Sequence, residues 1–274
     1  MREFVDFIKE NWGNDLSLYS ESFLEKTIHT LLEANGIKDI DAYRGRLIVE
    51  PLLLKQLLDA LNVHYSTFFR DPLVFSIIGK KILPEIIANL KGNRRLRIWS
   101  ACCSNGEEPY SLGILMNELS ITNKNIQVDI FATDIEAEVL KTAAEGVYGR
   151  ESMYYVPLGF ASKYFELDEG NYIISDSIKR KVQFSEYNIM DNNYSNPPES
   201  IFGGFDLVLC SNVLYYYSIE QQKEIIKKLT KSMRHGSYLI TDEITMGSGI
   251  KVKGLEQYSH NTPIYKLDKL KEST

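Results

Sequence analysis

The chain has 274 residues, of which 44% are hydrophobic and 25% charged, and its formal net charge is −6. This length suits one large or two modest domains with a sizeable core, and the acidic balance without a basic block argues against nucleic acid as a partner. The sequence has no run of about 18 apolar residues, so we expect no insertion into a membrane. The acid-bearing N-terminus does not resemble a signal peptide, and three cysteines lack metal-site spacing. We therefore predict a cytoplasmic protein without a metal.

Residues 1 to about 62 have the pattern of a helical region. Apolar residues recur at helical spacing within residues 4–8, 23–32 and 51–61. The pair Asn35-Gly36 is typical of a helix end, and Pro51 is typical of a first helical turn. The sequence thus predicts a helical N-terminal domain, a linker helix and a larger third domain, which span residues 1–75, 76–95 and 96–274.

Strands and helices alternate along the chain after residue 95. This order predicts an α/β fold with a doubly wound, mainly parallel Rossmann-like sheet, preceded by the small all-α domain. The alternation breaks between residues 150 and 184, where turn signals such as Glu169-Gly170 predict a small antiparallel β-subdomain. The predicted strands are LRIWSA, IQVDIFATDI, RKVQFSEYNI, FDLVLCSNV and SYLITDE; the predicted helices are EPYSLGILMNEL, EAEVLKTAAEG and IEQQKEIIKKLTKSM.

Small residues follow the first predicted strand. Residues 100–106 read SACCSNG, and Glu107 and Glu108 follow at the start of a helix. A strand, a tight turn of small residues and a helix N-terminus form the layout that holds a nucleotide-like ligand at the carboxyl end of a first strand. The alternative is an ordinary buried turn between a strand and a helix.

Polar residues also follow the later strands. Asp134 ends the second strand, where a carboxylate can bind ribose hydroxyls; the alternative is that it caps the next helix. Since no GxGxxG is present, an adenosine-containing ligand other than a nicotinamide dinucleotide is favoured. Asn188 can bond an adenine edge or form an Asx-turn. The segment CSNVLYYYS (210–218) is predicted to form either the wall of a cleft or an amphipathic surface. Arg70 is predicted to belong either to a ligand site between domains or to the solvated charges of the surface.

Four motifs occur in order: TFFRDP (67–72), IWSACCSNGEEPYSL (98–112), ATDI (132–135) and FDLVLCSNVLYYY (205–217). Together they resemble the CheR family of chemoreceptor glutamate methyltransferases, and the resemblance covers nearly the whole chain. It implies that S-adenosylmethionine is the methyl donor and that a protein glutamate is the acceptor, giving a glutamyl methyl ester. It also implies that residues 96–274 form the methyltransferase domain and that residues 150–184 are its β-subdomain.

The resemblance also implies roles for individual residues. Arg70 and Tyr216 would face the transferring methyl group, Glu108 would bind the cofactor's amino group, and Asp134 its ribose. Glu107 is interpreted as a first-turn acid that is favourable to the helix dipole. The residues expected to contact the cofactor are His64, Ser66, Arg70, Ala101, Glu108, Asp134, Ile135, Asn188, Ile189, Ser211 and Asn212.

Three features depart from the family pattern. Ser211 stands where an arginine is usual, and the hairpin ELDEGNYIISD is short, which predicts a member that does not need a receptor's C-terminal pentapeptide. Residues 1–85 contain ten basic and thirteen acidic side chains, so the basic docking face is weak. We expect a monomer acting on a chemoreceptor-like signalling protein. The alternatives are methyl transfer to another protein or small carboxylate, and a non-catalytic module that binds S-adenosylmethionine.

Overall fold

The computed structural model describes residues 1–63, 65–92, 94–122, 126–191, 193–200, 202–242, 252–259 and 261–268. The chain forms two compact units. One comprises Met1–His64 and Leu214–Glu224, and the other comprises Tyr65–Val213 and Ile225–Thr274. The domain boundaries at residues 75 and 95 stay a prediction. Among the described residues, no helix is both long and apolar enough to cross a membrane.

The first unit is helical, as the sequence predicted. Its core contains Ile8, Tyr43 and Leu57, each fully buried. The third helix was not distinguished in the sequence because it buries only two side chains, Tyr43 and Leu47. The helices are α1 (Arg2–Trp12), α2 (Glu21–Ala34), α3 (Ile40–Val49) and α4 (Pro51–Leu61), with a 3₁₀ turn at Leu16–Leu18 and another at Leu214–Tyr216.

The second unit is built on a seven-stranded sheet of order β6-β2-β1-β7-β8-β10-β9. The first five strands in this order are parallel, and β10 and β9 are added antiparallel. The mainly parallel sheet predicted from the sequence is therefore confirmed. Its strands are β1 (Leu96–Ala101), β2 (Val128–Asp134), β6 (Val182–Glu186), β7 (Phe205–Leu209), β8 (Met233–Ile240), β9 (Leu255–Gln257) and β10 (Ile264–Leu267).

Helices α5 to α11 belong wholly or partly to this unit. The Asp71-Pro72 step starts α5, because the Asp71 carboxylate accepts the Val74 N–H at 3.1 Å and Pro72 occupies the first turn. A π-helical turn, Ile78–Ile82, joins α5 to α6. The helices are α5 (Pro72–Ile77), α6 (Leu83–Ala88), α7 (Glu107–Thr122), α8 (Ala137–Glu145), α9 (Leu158–Tyr164), α10 (Asp176–Lys179) and α11 (Ile219–Ser232), with 3₁₀ turns at Arg150–Met153 and Pro198–Ser200.

The predicted small antiparallel sheet is also confirmed. It has the order β3-β5-β4, with strands β3 (Val147–Tyr148), β4 (Phe165–Asp168) and β5 (Asn171–Ile174). Its first strand precedes the range 150–184 that the sequence predicted for this insert. Glu169 and Gly170 alone connect β4 to β5, and both have positive φ, 47° and 88°. That pair of angles is typical of the type I′ turn of a two-residue hairpin.

Candidate cofactor site

The loop between β1 and α7 is held in a strained, compact form. Cys102, Ser104 and Gly106 have φ of 59°, 50° and 90°, a region that residues with a side chain seldom occupy. A Cβ on Gly106 would lie 2.9 Å from the Cβ of Ala143, so only glycine suits this close approach. The Cys103 N–H donates to the Thr133 carbonyl at 2.8 Å. The loop is thereby fixed at the carboxyl ends of β1 and β2.

Asp134 joins this loop to the end of β2. The residue is 7% exposed, and its carboxylate accepts the Ser104 N–H at 2.9 Å and the Glu136 N–H at 3.3 Å. The N-cap of α8 is Glu136, so the alternative that Asp134 caps this helix is wrong. An ionised carboxylate offers about four acceptor positions, and these two amides leave capacity for a ligand hydroxyl.

Glu108 lies in a polar cluster beside the same loop. Its Oε1 accepts the Ser100 hydroxyl at 2.7 Å. Burial raises the pKa of Glu108 to about 7, against the opposing effects of hydrogen bonds from Ser100 and Ser211 and of the positive charge of Arg70. The structure therefore brings Arg70, Glu108 and Ser211 together. That Ser100 belongs to this cluster was not predicted from the sequence, although a serine within an otherwise apolar strand indicated a polar partner for it.

The ionised form of Glu108 is costly because the carboxylate is desolvated. With a pKa of about 7, it is only partly ionised at neutral pH. A ligand that places a cation beside it favours the ionised form and gains a charge-assisted hydrogen bond. This cluster is consequently suited to an ammonium group.

Arg70 follows two buried aromatic residues. The Phe68 ring packs edge-on against Tyr148 at a centroid distance of 4.7 Å, and Phe69 adopts a positive φ of 54°. The Arg70 guanidinium lies 5.2 Å from the centroid of the Tyr65 ring and donates to the Tyr65 carbonyl at 2.8 Å. Among the described residues, no carboxylate lies within ion-pair distance of Arg70. Its charge is thus available to a ligand.

The remaining predicted residues of this unit lie at or just after strand ends, except Ser66, which precedes α5. Asn188 forms the Asx-turn considered in the sequence, since its Oδ1 accepts the Met190 N–H at 2.8 Å, and this bond leaves its amide N–H groups able to contact a ligand. Ile189 is buried and Ile135 is exposed. Ala101 is the last residue of β1 and is buried, Ser66 is half-buried, and Asn212 has a positive φ of 58°. His64 lies outside the described residues.

Tyr216 belongs to the first unit and is held by several contacts there. Its carbonyl accepts the Ser20 N–H at 2.7 Å, and its ring packs against Phe23 at 4.7 Å. The Tyr215 hydroxyl donates to the Tyr216 hydroxyl at 2.6 Å. The tyrosine segment is therefore an ordered part of the helical unit.

Glu107 differs most from its sequence interpretation. It lies in the first turn of α7, as expected, but it is only 2% exposed. Its Oε1 accepts the Ser152 hydroxyl at 3.0 Å, and burial raises the pKa of its carboxyl. Burying an acid costs free energy, so a favourable interaction with the helix dipole does not by itself account for the position of Glu107.

Comparisons with known proteins agree with this geometry. Residues 64–249 match the family model described as "CheR methyltransferase, SAM binding domain", and residues 1–61 match "CheR methyltransferase, all-alpha domain". The chain is 29% identical over 88% of its length to the chemotaxis protein methyltransferase of Borreliella burgdorferi, covering 85% of that protein. It is 31% identical over 86% of its length to chemotaxis protein methyltransferase 1 of Pseudomonas aeruginosa, covering 86% of it.

A further relative is named for a different process. The chain is 32% identical over 84% of its length to the probable biofilm formation methyltransferase WspC of Pseudomonas aeruginosa and covers 53% of that protein. The matched domain binds S-adenosylmethionine. The described residues suit that cofactor, because the surroundings of Glu108 favour an ammonium group and Asp134 has acceptor capacity for ribose hydroxyls.

Proposed function

The chain belongs to the CheR methyltransferase family, and from that premise we propose that it methylates glutamate side chains of a chemoreceptor-like signalling protein. The products are glutamyl methyl esters. The single observation that carries the proposal is the surroundings of Glu108, which accepts the hydroxyl of Ser100 in β1, lies beside Ser211 after β7 and interacts with the positive charge of Arg70. Glu108 supplies an acid that can bind the cofactor's amino group, and Arg70 supplies a cation that can bind a carboxylate.

The proposed chemistry needs positioning more than acid–base catalysis. S-adenosylmethionine supplies an electrophilic methyl group on a sulfonium, which is a good leaving group. An acceptor glutamate has an unperturbed pKa of about 4.3 and is already ionised at neutral pH, so no general base is required. The protein's task is to align the acceptor oxygen and to exclude water.

We assign the roles as follows. Glu108 binds the cofactor's amino group, Asp134 its ribose hydroxyls, and Arg70 orients the carboxylate of the acceptor or of the cofactor by a bidentate hydrogen bond. For Tyr216 we propose a part in methyl transfer on the strength of the sequence motif alone. The other proposed cofactor contacts are His64, Ser66, Ala101, Ile135, Asn188, Ile189, Ser211 and Asn212.

We propose that the acceptor is recognised without a C-terminal pentapeptide. The support is the β4–β5 hairpin, whose connection is only Glu169 and Gly170. The acceptor is a chemoreceptor or a related signalling protein, since some relatives are named for chemotaxis and one for biofilm formation.

Calorimetry with S-adenosylhomocysteine is the first test, and absence of binding at millimolar ligand would refute the proposal. The second test measures transfer of radioactive methyl groups from S-adenosylmethionine to membranes that contain methyl-accepting receptors, read as base-labile methanol. Binding without such transfer would favour another protein, a small carboxylate or a non-catalytic module.

The variant Arg70→Ala tests the proposed catalytic role. Losing a hydrogen bond to a charged group costs about 1.5–3 kcal/mol, so kcat/KM should fall by about 10- to 150-fold. Arg95→Ala is the matched control. Arg95 lies immediately before β1 and pairs with Asp129 at 2.6 Å, near the amino ends of β1 and β2 and away from the carboxyl ends of these strands. This control variant should retain near-native activity. Equal activity of both variants would eliminate the role of Arg70.

A further inference from the structure

We propose that Glu107 is a positioning residue that holds residues 66–69 so that Arg70 is placed for its ligand. The inference rests on the role proposed above for Arg70. Glu107 makes two separate connections to this segment, one through its carboxylate and one through its main chain.

The first connection runs through Ser152. The Ser152 hydroxyl donates to Glu107 Oε1 at 3.0 Å, and the Ser152 carbonyl accepts the Phe68 N–H at 3.0 Å. One residue therefore contacts both the buried acid and the backbone two positions before Arg70. Ser152 is itself buried, with 8% of its surface exposed, so water does not compete strongly for these bonds.

The second connection runs through Ser111, one helical turn after Glu107. The Ser111 hydroxyl donates to the Glu107 carbonyl at 2.7 Å and accepts the Phe69 N–H at 3.0 Å. Phe69 is the residue with a φ of 54°. A bulky side chain keeps such a backbone conformation only where its surroundings enforce it. Ser111 of α7 supplies that enforcement directly before Arg70.

Burial of the Glu107 side chain has an energetic cost. Burial raises the pKa of Glu107, while the hydroxyls of Ser152 and Ser66 partly oppose the rise. Among the described residues, no lysine or arginine forms an ion pair with it, and its Oε2 has no hydrogen-bond partner. A buried, incompletely satisfied acid does not favour stability. Its hydrogen bond with Ser152 instead favours a part in ordering the segment that carries Arg70.

A double-mutant cycle tests the proposal through the affinity for S-adenosylhomocysteine, measured by calorimetry. The single variants are Glu107→Gln, Ser111→Ala and Arg70→Ala, and the first two are then combined with Arg70→Ala. We expect Glu107→Gln and Ser111→Ala each to weaken binding by about five- to thirty-fold, the factor that corresponds to loss of one or two buried contacts. In the Arg70→Ala background the same changes should weaken binding less than about twofold, because coupled residues are not additive.

The controls separate positioning from stability. Ser120→Ala removes a comparable hydroxyl-to-carbonyl bond on α7, from Ser120 to the Asn117 carbonyl at 2.7 Å, and should bind normally. Urea unfolding checks each variant, and Ser111→Ala provides the test if Glu107→Gln does not fold. Equal losses in both backgrounds, or no loss at all, would overturn the role of Glu107. Normal binding by Arg70→Ala alone would instead refute the proposed contact of Arg70 with the cofactor, and with it the positioning role of Glu107.

Discussion

The protonation of Glu108 should control cofactor affinity near neutral pH. Burial raises its pKa from the ordinary value of 4.5 to about 7. The ionised form is the one that attracts the cofactor's ammonium group, so protonation competes with binding. Below pH 7, the dissociation constant for S-adenosylhomocysteine should therefore rise by up to about tenfold per pH unit, and it should flatten above pH 7.

The same raised pKa predicts how the stability of the ligand-free protein depends on pH. A carboxyl whose folded pKa lies above its unfolded pKa binds more protons when folded, so stability falls as pH rises between 4.5 and about 7. Each pKa unit corresponds to about 1.4 kcal/mol, and the ligand-free protein should thus lose up to about 3 kcal/mol over this interval from Glu108 alone. Binding of the cofactor should restore part of it.

The variant Glu108→Gln separates this residue from other titrating groups. Glutamine can still accept the Ser100 hydroxyl but cannot ionise. At pH 8 the ligand-free variant should be more stable to urea than the native protein, and its weaker affinity for S-adenosylhomocysteine should vary less with pH. Any pH dependence common to both proteins belongs to another group. A native dissociation constant that is flat from pH 6 to 8, or an equal slope in the variant, would refute the reasoning.

Two further substitutions test the loop and the end of β2. Asp134→Asn should weaken binding of S-adenosylhomocysteine by about tenfold or more, since a charged hydrogen bond is worth about 1.5–3 kcal/mol; calorimetry measures it, and unchanged affinity would exclude Asp134 from the site. Gly106→Ala should destabilise the fold by about 1–3 kcal/mol, because its Cβ would meet Ala143 at 2.9 Å in a residue with φ of 90°. Urea unfolding measures this loss, and an unaltered midpoint would contradict it.

Much of the parallel sheet was predictable because its strands are short apolar runs that end in polar residues. Asp134 and Ser211 could be assigned to one edge of the sheet from strand order alone, since parallel strands share their carboxyl ends. Strand β9 was not predictable, because two of its three residues are exposed and give no burial pattern. The π-helical turn Ile78–Ile82 was also missed, because its residues have the same apolar composition as an α-helix.

The different surroundings of the adjacent acids Glu107 and Glu108 could not be predicted from the sequence. Successive residues of an α-helix are rotated by about 100°, so the two carboxylates necessarily face different surroundings, but the sequence does not say which surroundings. In the structure, Glu108 joins Ser100 and Ser211, whereas Glu107 joins Ser152. The two glutamine variants should consequently have different effects on cofactor binding. Glu108→Gln should remove pH dependence from cofactor binding, whereas Glu107→Gln should weaken binding while leaving the pH dependence that Glu108 confers.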